Sequence, residues 1–440
     1  MTLLWYDTGA AVESSMNTAL IFYYTKPNRF SFHPLAGALE IDETLRGLEM
    51  SFPTQAVELR QSLRAALLRM DRAVVGFSFA TPQLCGIEPL VEDLRKEFSP
   101  RAIFLAGGPH PSADPEGCLR AGFDFVIRGE GEVALARLLE SLEAGGDGRG
   151  IPGTAYIDGE GAFQSVPAGP PVDLDALPPF APGHLKFGPI EITRGCPYAC
   201  GFCQTSALFG RQQRHRSPRS AARYMALLAG RGMRDVRVIT PNAFSYGSPD
   251  GRSVNFEAMR ELLAAARLAM GPAGRLFFGS MPSEVRPEHV TEAALKLVRE
   301  YASNDNIVIG AQSGSQRILD ACGRGHCVAD VIAAAALTIK AGLKANVDFI
   351  FGLPGETEED LERTLAVIKE LIALGARIHA HWFLPLPQTR LAAQVPGRMP
   401  RRLKAALERL TASGALYGQW QAQERQATRI GEHPAPRHAG

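Results

Sequence analysis

The chain has 440 residues, and its 47 Lys and Arg against 46 Asp and Glu give a formal net charge of +1. Apolar residues make up 45% and charged residues 21% of the chain, which indicates a globular protein and excludes a mainly disordered one. The balanced charge disfavours a protein that coats nucleic acid, so we expect no nucleic-acid partner. The length predicts two or three domains, each large enough to bury a core.

No segment near the start has the features of a targeting signal. The first 15 residues contain neither Lys nor Arg, and no uninterrupted apolar run reaches the ~18 residues that cross a bilayer. We therefore expect a cytoplasmic protein without a membrane partner. The first strand-like run follows Met16, so residues 1–15 are expected to be an upstream extension.

The first domain is predicted over residues 16–150, where mostly apolar runs alternate with amphipathic helical patterns. This alternation predicts a doubly wound parallel sheet. Its strands are expected at residues 18–25, 74–80, 102–106 and 123–128. Ligands of such sheets bind at the carboxyl ends of the strands, where this sequence has loops of small residues and proline.

The chain changes character at residues 151–186, which we interpret as a hairpin and a proline-rich linker. From residue 187 to residue 390 the alternation resumes, and it predicts a partial or complete barrel of parallel strands. Its six strands are expected at residues 188–193, 235–240, 275–279, 306–310, 345–351 and 377–384. Residues 391–440 are expected to hold one basic helix and a frayed polar end.

Three of the seven cysteines, Cys196, Cys200 and Cys203, fall within eight residues in the pattern C-x3-C-x2-C. Thiolates are soft ligands that suit an iron–sulfur cluster. Zinc would normally need a fourth ligand, for which His215 is a candidate. Three ligands leave one iron of a cubane cluster open, and an open iron favours catalysis over a structural site.

This cysteine pattern resembles the radical S-adenosylmethionine (SAM) superfamily, because it follows a first barrel strand and has Phe202 just before its last cysteine. The resemblance extends over residues 187–390. Residues 310–315 (GAQSGS) and 347–357 (VDFIFGLPGET) resemble the motifs of the family's fourth and fifth strands.

The first domain resembles the cobalamin-binding domain that is often fused to this family. Residues 107–111 (GGPHP) and 128–132 (RGEGE) carry that similarity. Together, the two resemblances imply an α/β protein: a doubly wound, cobalamin-binding-like parallel sheet followed by a radical SAM (β/α)6 partial barrel.

The resemblance implies an enzyme in which the three cysteines hold a [4Fe–4S] cluster and the open iron chelates SAM. One electron from an external reductant, such as a flavodoxin or ferredoxin, would cleave SAM to a 5′-deoxyadenosyl radical. The specific hypothesis is cobalamin-dependent methylation of an unreactive carbon in a small-molecule or peptide substrate. The alternatives are a radical rearrangement or cyclisation without methyl transfer, and a non-catalytic cobalamin- or metal-binding protein. Methylthiolation is disfavoured, because the first domain lacks a second set of three cysteines.

Positions after the barrel strands are predicted to contact SAM by the same resemblance. They are Phe202, Asn242, Ser280, Glu284, Gln312, Ser313, Ile350 and Gly352. Asn242 stands where the family usually has Gly-Gly-Glu. The alternative interpretation makes Gln312 and Ser313 a polar turn, and Ser280 and Glu284 a helix cap and a surface acid. Glu356 is either a further contact or an acid that favours a helix start.

Small residues at strand ends of the first domain, namely Ser78, Gly107 and Gly108, are predicted to contact cobalamin. The Asp-x-His-x-x-Gly motif that supplies a histidine to cobalt is absent, and the surroundings of His33 do not match it. The sequence therefore predicts no lower ligand. The domain would hold cobalamin without protein ligation, or it would have lost the cofactor.

A basic run follows the cysteine loop and is interpreted either as an anion site or as a solvated loop with salt bridges. It consists of Arg211, Arg214, His215, Arg216 and Arg219.

Two further pairs carry possible chemistry. His379 and His381 share one face of the last strand, either as inward acid–base groups or as packed histidines. Cys322 and Cys327 are a weak candidate for a second metal site, and free thiols are the favoured interpretation.

Overall fold

The computed structural model of the chain describes residues 17–432. The predicted extension at residues 1–15 and the last eight residues of the predicted polar end lie outside the described residues. Within the described part, no helix has the length and apolar character required to cross a membrane.

Residues 17–432 contain sixteen strands. In chain order they are β1 (Thr18–Phe22), β2 (Glu49–Ser51), β3 (Arg72–Ser78), β4 (Ala102–Gly107), β5 (Phe125–Ile127), β6 (Thr154–Ile157), β7 (Phe163–Ser165), β8 (Ile190–Glu191), β9 (Thr193–Arg194), β10 (Arg214–His215), β11 (Asp235–Ile239), β12 (Arg275–Phe277), β13 (Asn306–Gln312), β14 (Lys344–Phe351), β15 (Arg377–Trp382) and β16 (Leu416–Tyr417). Each predicted strand has a counterpart in this set, whereas β2, β10 and β16 were not predicted.

In the same described part of the chain, fifteen α-helices connect and cover these strands. They are α1 (Arg29–Ile41), α2 (Ala56–Leu67), α3 (Leu84–Phe98), α4 (Pro109–Ala113), α5 (Pro115–Arg120), α6 (Glu132–Glu143), α7 (Thr205–Phe209), α8 (Pro218–Gly230), α9 (Phe256–Met270), α10 (Glu292–Tyr301), α11 (Gln316–Cys322), α12 (Val328–Lys340), α13 (Glu358–Ala373), α14 (Arg401–Ala412) and α15 (Trp420–Glu432).

The first domain is a seven-stranded sheet in the order β2-β1-β3-β4-β5-β6-β7. The five strands from β2 to β5 pair in parallel, and β6 and β7 extend the sheet in antiparallel fashion. Their apolar runs are buried because helices cover both faces of the sheet, where two separate apolar cores lie. The predicted hairpin is thus present, and it forms the edge of this sheet.

The second half is a partial barrel whose parallel strands follow the order β8-β11-β12 and then β13-β14-β15-β16. Between β12 and β13 the sheet continues through a single parallel bridge from Val285 to Ile309. The short β16 adds a strand beyond the six that were predicted. One apolar core fills the space between this sheet and its outer helices.

Local sequence explains where the barrel helices begin. The side chains of Ser217, Asn255 and Thr291 each accept a hydrogen bond from a backbone N–H three residues on, which caps α8, α9 and α10. Thr357 and Asp360 form a reciprocal capping box at the start of α13. These caps fix the helix starts directly after the loops at the carboxyl ends of the strands.

The prediction of a frayed polar end was wrong for residues 416–432. Trp420 and Ala427 of α15 are 2% and 1% exposed, and they pack into the barrel core. The Gln423 side chain accepts a hydrogen bond from the backbone N–H of Trp382 at 2.9 Å. The helix is polar over most of its surface, but its few apolar residues share one buried face, which is enough to dock it.

Candidate functional site

A cavity of about 430 Å³ opens at the carboxyl ends of the barrel strands. Its lining includes eight of the residues that the sequence predicted for the cluster and for SAM: Cys196, Cys200, Phe202, Cys203, Asn242, Glu284, Gln312 and Ile350. These positions come from four separate strand ends and from the cysteine loop. The parallel barrel brings them together because all its strands end on the same side.

The cysteine loop has an unusual backbone, held by neighbouring segments. Gly195 has φ +90°, and a Cβ there would lie 2.2 Å from the carbonyl oxygen of Gln212. Ala199, between the first two cysteines, has φ +51°. The N–H of Cys196 donates to Gly210 O at 3.1 Å, and the N–H of Gly201 donates to Cys322 O at 2.8 Å. The loop therefore presents three sulfurs to one cavity with a fixed spacing.

The thiols themselves are shielded from water. Burial raises the pKa of the Cys196 thiol, and the nearby Cys200 and Cys203 raise it further. Burial also raises the pKa of Cys203. Two thiols of raised pKa beside the buried Cys200 fit a multi-iron cluster, whose positive charge replaces the protons.

Arg324 is the main positive group beside the thiols. Its Nη1 lies 3.5 Å from Cys200 Sγ, and its Nη2 donates to Gly310 O at 2.6 Å. Its Nε is buried and has no hydrogen-bond partner among the described residues. A buried guanidinium with a spare donor in a cavity of this kind fits a carboxylate ligand, such as that of SAM.

Gln312 is strained, as is common for residues that hold a ligand. It has φ +74°, a conformation that is costly for a residue with a side chain. The register between β13 and β14 also shifts between Gly310 and Gln312. This bulge turns the Gln312 side chain into the cavity, while Ser313 takes the opposite direction.

Glu284 is a buried carboxyl group that lines the cavity. Burial, followed by the negative charge of Asp348, raises its pKa to about 7, although Arg324 and His379 act in the opposite direction. Its position allows hydrogen bonds to hydroxyl groups of a bound ligand. The alternative interpretation as a surface acid is wrong, since the side chain lies inside the barrel.

Asn242 lines the cavity, but its amide is largely engaged by the protein. Its Oδ1 accepts from the N–H of Arg286 at 3.2 Å, and its Nδ2 lies 2.8 Å from His289 Nδ1. One N–H of the amide is left for a ligand. Asn242 therefore has less hydrogen-bonding capacity left for a ligand than Gln312 has.

Three predicted SAM contacts do not line the cavity. Ser280 Oγ is buried without a hydrogen-bond partner among the described residues. Ser313 Oγ lies 3.4 Å from Thr364 Oγ1 and accepts from the N–H of Ser315. Gly352 packs so closely on the Trp382 ring that a Cβ would lie 2.5 Å from it. Their roles toward SAM therefore stay predictions without support from the cavity.

Glu356 precedes α13 and closes the loop after β14. Its carboxylate accepts the N–H of Gly352 at 2.9 Å. Burial raises its pKa to about 8. The Glu356 side chain therefore lies under this loop and does not line the cavity.

The two histidines of β15 point into the barrel. His379 Nδ1 lies 3.1 Å from Asp348 Oδ1 and 3.2 Å from His381 Nε2. His381 and Asp348 line the cavity. Burial, and then the positive charge of His379, lowers the pKa of His381. The structure therefore supports the interpretation in which both histidines face inward.

The basic run divides between structural roles and solvent. Arg216 is buried and donates to the carbonyl oxygens of Glu191 and Leu177. Arg214 pairs with Glu130 of the first domain. Arg211 is exposed and donates to Pro197 O, and Arg219 is exposed. His215 contacts Thr193 Oγ1 at 3.0 Å. None of the five lines the cavity.

The strand ends of the first domain face those of the barrel. Arg194, directly before the cysteine loop, forms buried ion pairs with Glu132 and Glu191 at 2.7 Å. Gln204 Nε2 donates to Pro109 O at 3.4 Å, and Gln388 Nε2 donates to Ser112 O at 2.9 Å. The loops after β4 and β5 thus lie against the side of the barrel that carries the cavity.

The predicted cobalamin residues lie on this facing edge. Ser78 and Gly107 are partners in register at the ends of β3 and β4. Gly107 has ordinary φ, and a Cβ there would meet nothing closer than 3.8 Å, so protein packing does not require a glycine. That freedom fits a flat ligand lying on the backbone. Gly108, in contrast, has φ +92°, and a Cβ there would lie 2.7 Å from Ser78 Oγ, so the turn itself requires a glycine.

His33, Cys322 and Cys327 do not line the cavity. His33 is buried in α1, with its Nε2 2.6 Å from the Tyr24 hydroxyl. Cys322 and Cys327 form no disulfide, and the choice between free thiols and a second metal site stays a prediction. Cys322 is buried behind the cysteine loop.

Several cavity residues were missed from the sequence. They include Thr240, Arg286, Arg324, Asp348, Trp382 and Gln423. Alternation along β14 was an available signal for Asp348, because Ile350 was already placed on that face. Gln423 had no such signal, since it lies in the segment that was expected to be frayed.

Two family models match the chain. Residues 190–368 match the Radical SAM superfamily, and residues 35–139 match the B12 binding domain. An uncharacterized methyltransferase from Pyrococcus horikoshii is 26% identical over 337 residues, which are 73% of this chain and 69% of that protein.

Solved structures share the fold at low sequence identity. The radical S-adenosylmethionine methyltransferase TsrM from Kitasatospora setae, with cobalamin and a [4Fe–4S] cluster bound, has a TM-score of 0.66 at 18% identity. The alignment covers 86% of this chain and 77% of that one. The cobalamin-dependent enzyme OxsB has a TM-score of 0.63 at 17% identity, covering 80% of this chain and 52% of that one.

The partial barrel, its loop of three cysteines and the family matches define a radical SAM enzyme. The sheet in front of that barrel is a B12-binding domain. Residues 190–368 are therefore a radical SAM domain and residues 35–139 a B12-binding domain, and these two domains imply a [4Fe–4S] cluster, SAM and cobalamin as cofactors.

Proposed function

We propose that the chain is a cobalamin-dependent methyltransferase that acts on an unreactive carbon of a small-molecule or peptide substrate. One observation carries the proposal: the cavity with the three cysteines opens on the barrel side against which the strand ends of the B12-binding sheet lie. The name of the Pyrococcus horikoshii relative and the titles of the TsrM structures agree with methyl transfer.

We assign residues to cofactors as follows. Cys196, Cys200 and Cys203 hold the cluster, and Arg324 with Gln312 binds polar groups of SAM. Ile350 provides an apolar surface for its adenine, and Glu284 receives its ribose hydroxyls. When bound, the cluster and SAM supply a 5′-deoxyadenosyl radical, and cobalamin supplies a carrier for the methyl group.

The protein's own contribution is positioning and the exclusion of water. Trp382 and Phe383 on β15 and its following loop form the apolar wall of the cavity. Gln423 of α15 closes one side. Buried walls of this kind protect a carbon radical from solvent.

The proposal is tested by anaerobic incubation of the cluster- and cobalamin-loaded chain with methyl-deuterated SAM, a reductant and a fraction of small metabolites and peptides. S-adenosylhomocysteine together with deuterated methyl in a product carbon supports methyl transfer. 5′-Deoxyadenosine without label in any product supports a radical rearrangement or cyclisation instead. The absence of both products supports a non-catalytic binding protein. The Cys200→Ala variant is expected to lose iron and SAM cleavage, and the Cys85→Ala variant, at an exposed cysteine, is the matched control.

An acidic one-electron donor is the partner that the surface near the cluster favours. Three exposed arginines lie there: Arg211 and Arg252 both donate to Pro197 O at 3.2 Å, and Arg390 donates to Ala321 O at 2.9 Å. Pro197 follows the first cysteine, and Ala321 precedes Cys322 behind the loop. We infer that a flavodoxin or ferredoxin docks on this face, because complementary charge steers such encounters.

A further inference from the structure

Three side chains of the kinds that bind metals converge inside the barrel, apart from the cysteine loop. Asp348 and His379 are register partners on β14 and β15, and His381 follows two residues later on the same face. One ligand atom from each of the three lies within 4.8 Å of the other two. Asp348 and His381 line the cavity.

His379 Nδ1 has two close polar neighbours, and one proton on this nitrogen can form a linear hydrogen bond with only one of them. Its Nδ1 lies 3.1 Å from Asp348 Oδ1 and 3.2 Å from His381 Nε2. A ring nitrogen carries at most one proton, so it can aim a donor at the carboxylate or at the second imidazole, but not at both. All three atoms carry lone pairs, and a single cation placed among them would satisfy all of them.

The spacing suits a transition-metal ion. Histidine nitrogens and carboxylate oxygens bind such ions at about 2.0–2.2 Å, which places neighbouring ligand atoms about 3.0–3.5 Å apart. The two measured separations, 3.1 and 3.2 Å, fall in this range. The ring of Tyr417 stacks on His379 at 4.6 Å with an interplanar angle of 10°, which fixes the orientation of the imidazole.

We propose that Asp348, His379 and His381 bind a divalent first-row transition-metal ion, with open coordination positions toward the cavity. Two histidines and one carboxylate are a donor set typical of zinc and of non-haem iron(II) sites that keep positions free for another ligand. An oxygen donor of the substrate, such as a carboxylate, would occupy those positions. The metal site stands independently of the methyl-transfer proposal.

Zinc binding by the full chain tests the site. The chain, loaded with cluster and cobalamin, is equilibrated with buffered Zn²⁺, and zinc and iron per chain are measured by mass spectrometry. We expect Asp348→Asn and His379→Ala to lose about one zinc per chain and to bind it about 100-fold more weakly. The control is His184→Ala, because His184 pairs with Glu40 at 2.7 Å and no third metal-binding side chain within residues 17–432 joins the pair. It is expected to bind zinc like the wild type.

Two readouts separate this site from zinc at thiols and from general destabilisation. X-ray absorption at the zinc edge should show imidazole nitrogen at about 2.0–2.1 Å and no sulfur shell near 2.3 Å. The zinc-dependent rise in melting temperature of each protein, relative to its own zinc-free form, should be present in the wild type and absent in Asp348→Asn. Equal zinc content in wild type and Asp348→Asn, or a sulfur shell, would overturn the proposal and leave a hydrogen-bonded network.

Discussion

Arg324 Nη1 lies 3.5 Å from Cys200 Sγ, so a buried guanidinium faces one of the three proposed cluster ligands. Positive charge and hydrogen bonds to cluster sulfurs favour the reduced form. We expect Arg324→Gln to make the cluster potential more negative by an amount on the order of tens of millivolts. Arg324→Lys, which keeps the charge, should shift it less. A redox titration monitored by electron paramagnetic resonance measures both, and unchanged potentials would contradict this role.

Arg194 and Glu132 form a buried ion pair between the two domains. Breaking this pair is expected to lower the stability of the fold strongly. Arg194 and Glu132 are each 5% exposed. Replacing Arg194 with Met leaves buried carboxylates unpaired, and we expect a loss of about 3–5 kcal/mol in the free energy of unfolding. Adding Glu132→Gln should recover part of it.

Denaturant unfolding followed by circular dichroism measures this loss. The control is the exposed pair of Arg275 and Asp235, which are 61% and 45% exposed. Arg275→Met is expected to change the free energy of unfolding by less than about 1 kcal/mol. Similar losses in the two arginine variants would argue against a buried, coupled pair.

The raised pKa of Glu356 predicts that the stability of the fold depends on pH. Burial raises its pKa from the ordinary 4.5 to about 8, so between these values the folded state holds a proton that the unfolded state releases. Its contribution to stability therefore falls as the pH rises through this window. We expect Glu356→Gln to melt at a temperature similar to the wild type at pH 4.5 and several degrees higher at pH 8.5. A difference in melting temperature that does not grow with pH would show that Glu356 does not titrate in this window.

The exposed arginines near the cluster predict that electron transfer from a protein donor depends on their positive charge. We expect the double variant Arg252→Glu, Arg390→Glu to lower the ratio of flavodoxin-driven to dithionite-driven SAM cleavage by about 10-fold at low salt. The effect should shrink as salt is added. Replacement of both arginines by lysine is the control and should preserve the ratio. A ratio that is independent of these charges would place the docking surface elsewhere.

Period-two alternation explains which predicted contacts reach the cavity. Gln312 and Ser313 are adjacent and point to opposite sides, and the bulge at Gln312 turns that side chain into the cavity. Gln312 lines the cavity, and Ser313 packs near Thr364 of α13. The same rule accounts for Asp348, which was overlooked although it shares a face with Ile350.

The sequence by itself determined the cysteine loop, the alternation of strands and helices in both halves, and the order of the two domains. These features are local: ligand spacing lies within one loop, and burial patterns repeat within one element. Only the tertiary structure decided that Arg324 faces Cys200, that Asp348 meets two histidines of the next strand, and that Gln423 reaches the cavity. Each of these contacts joins residues far apart in the chain, and it depends on strand register and helix docking, which no local pattern encodes.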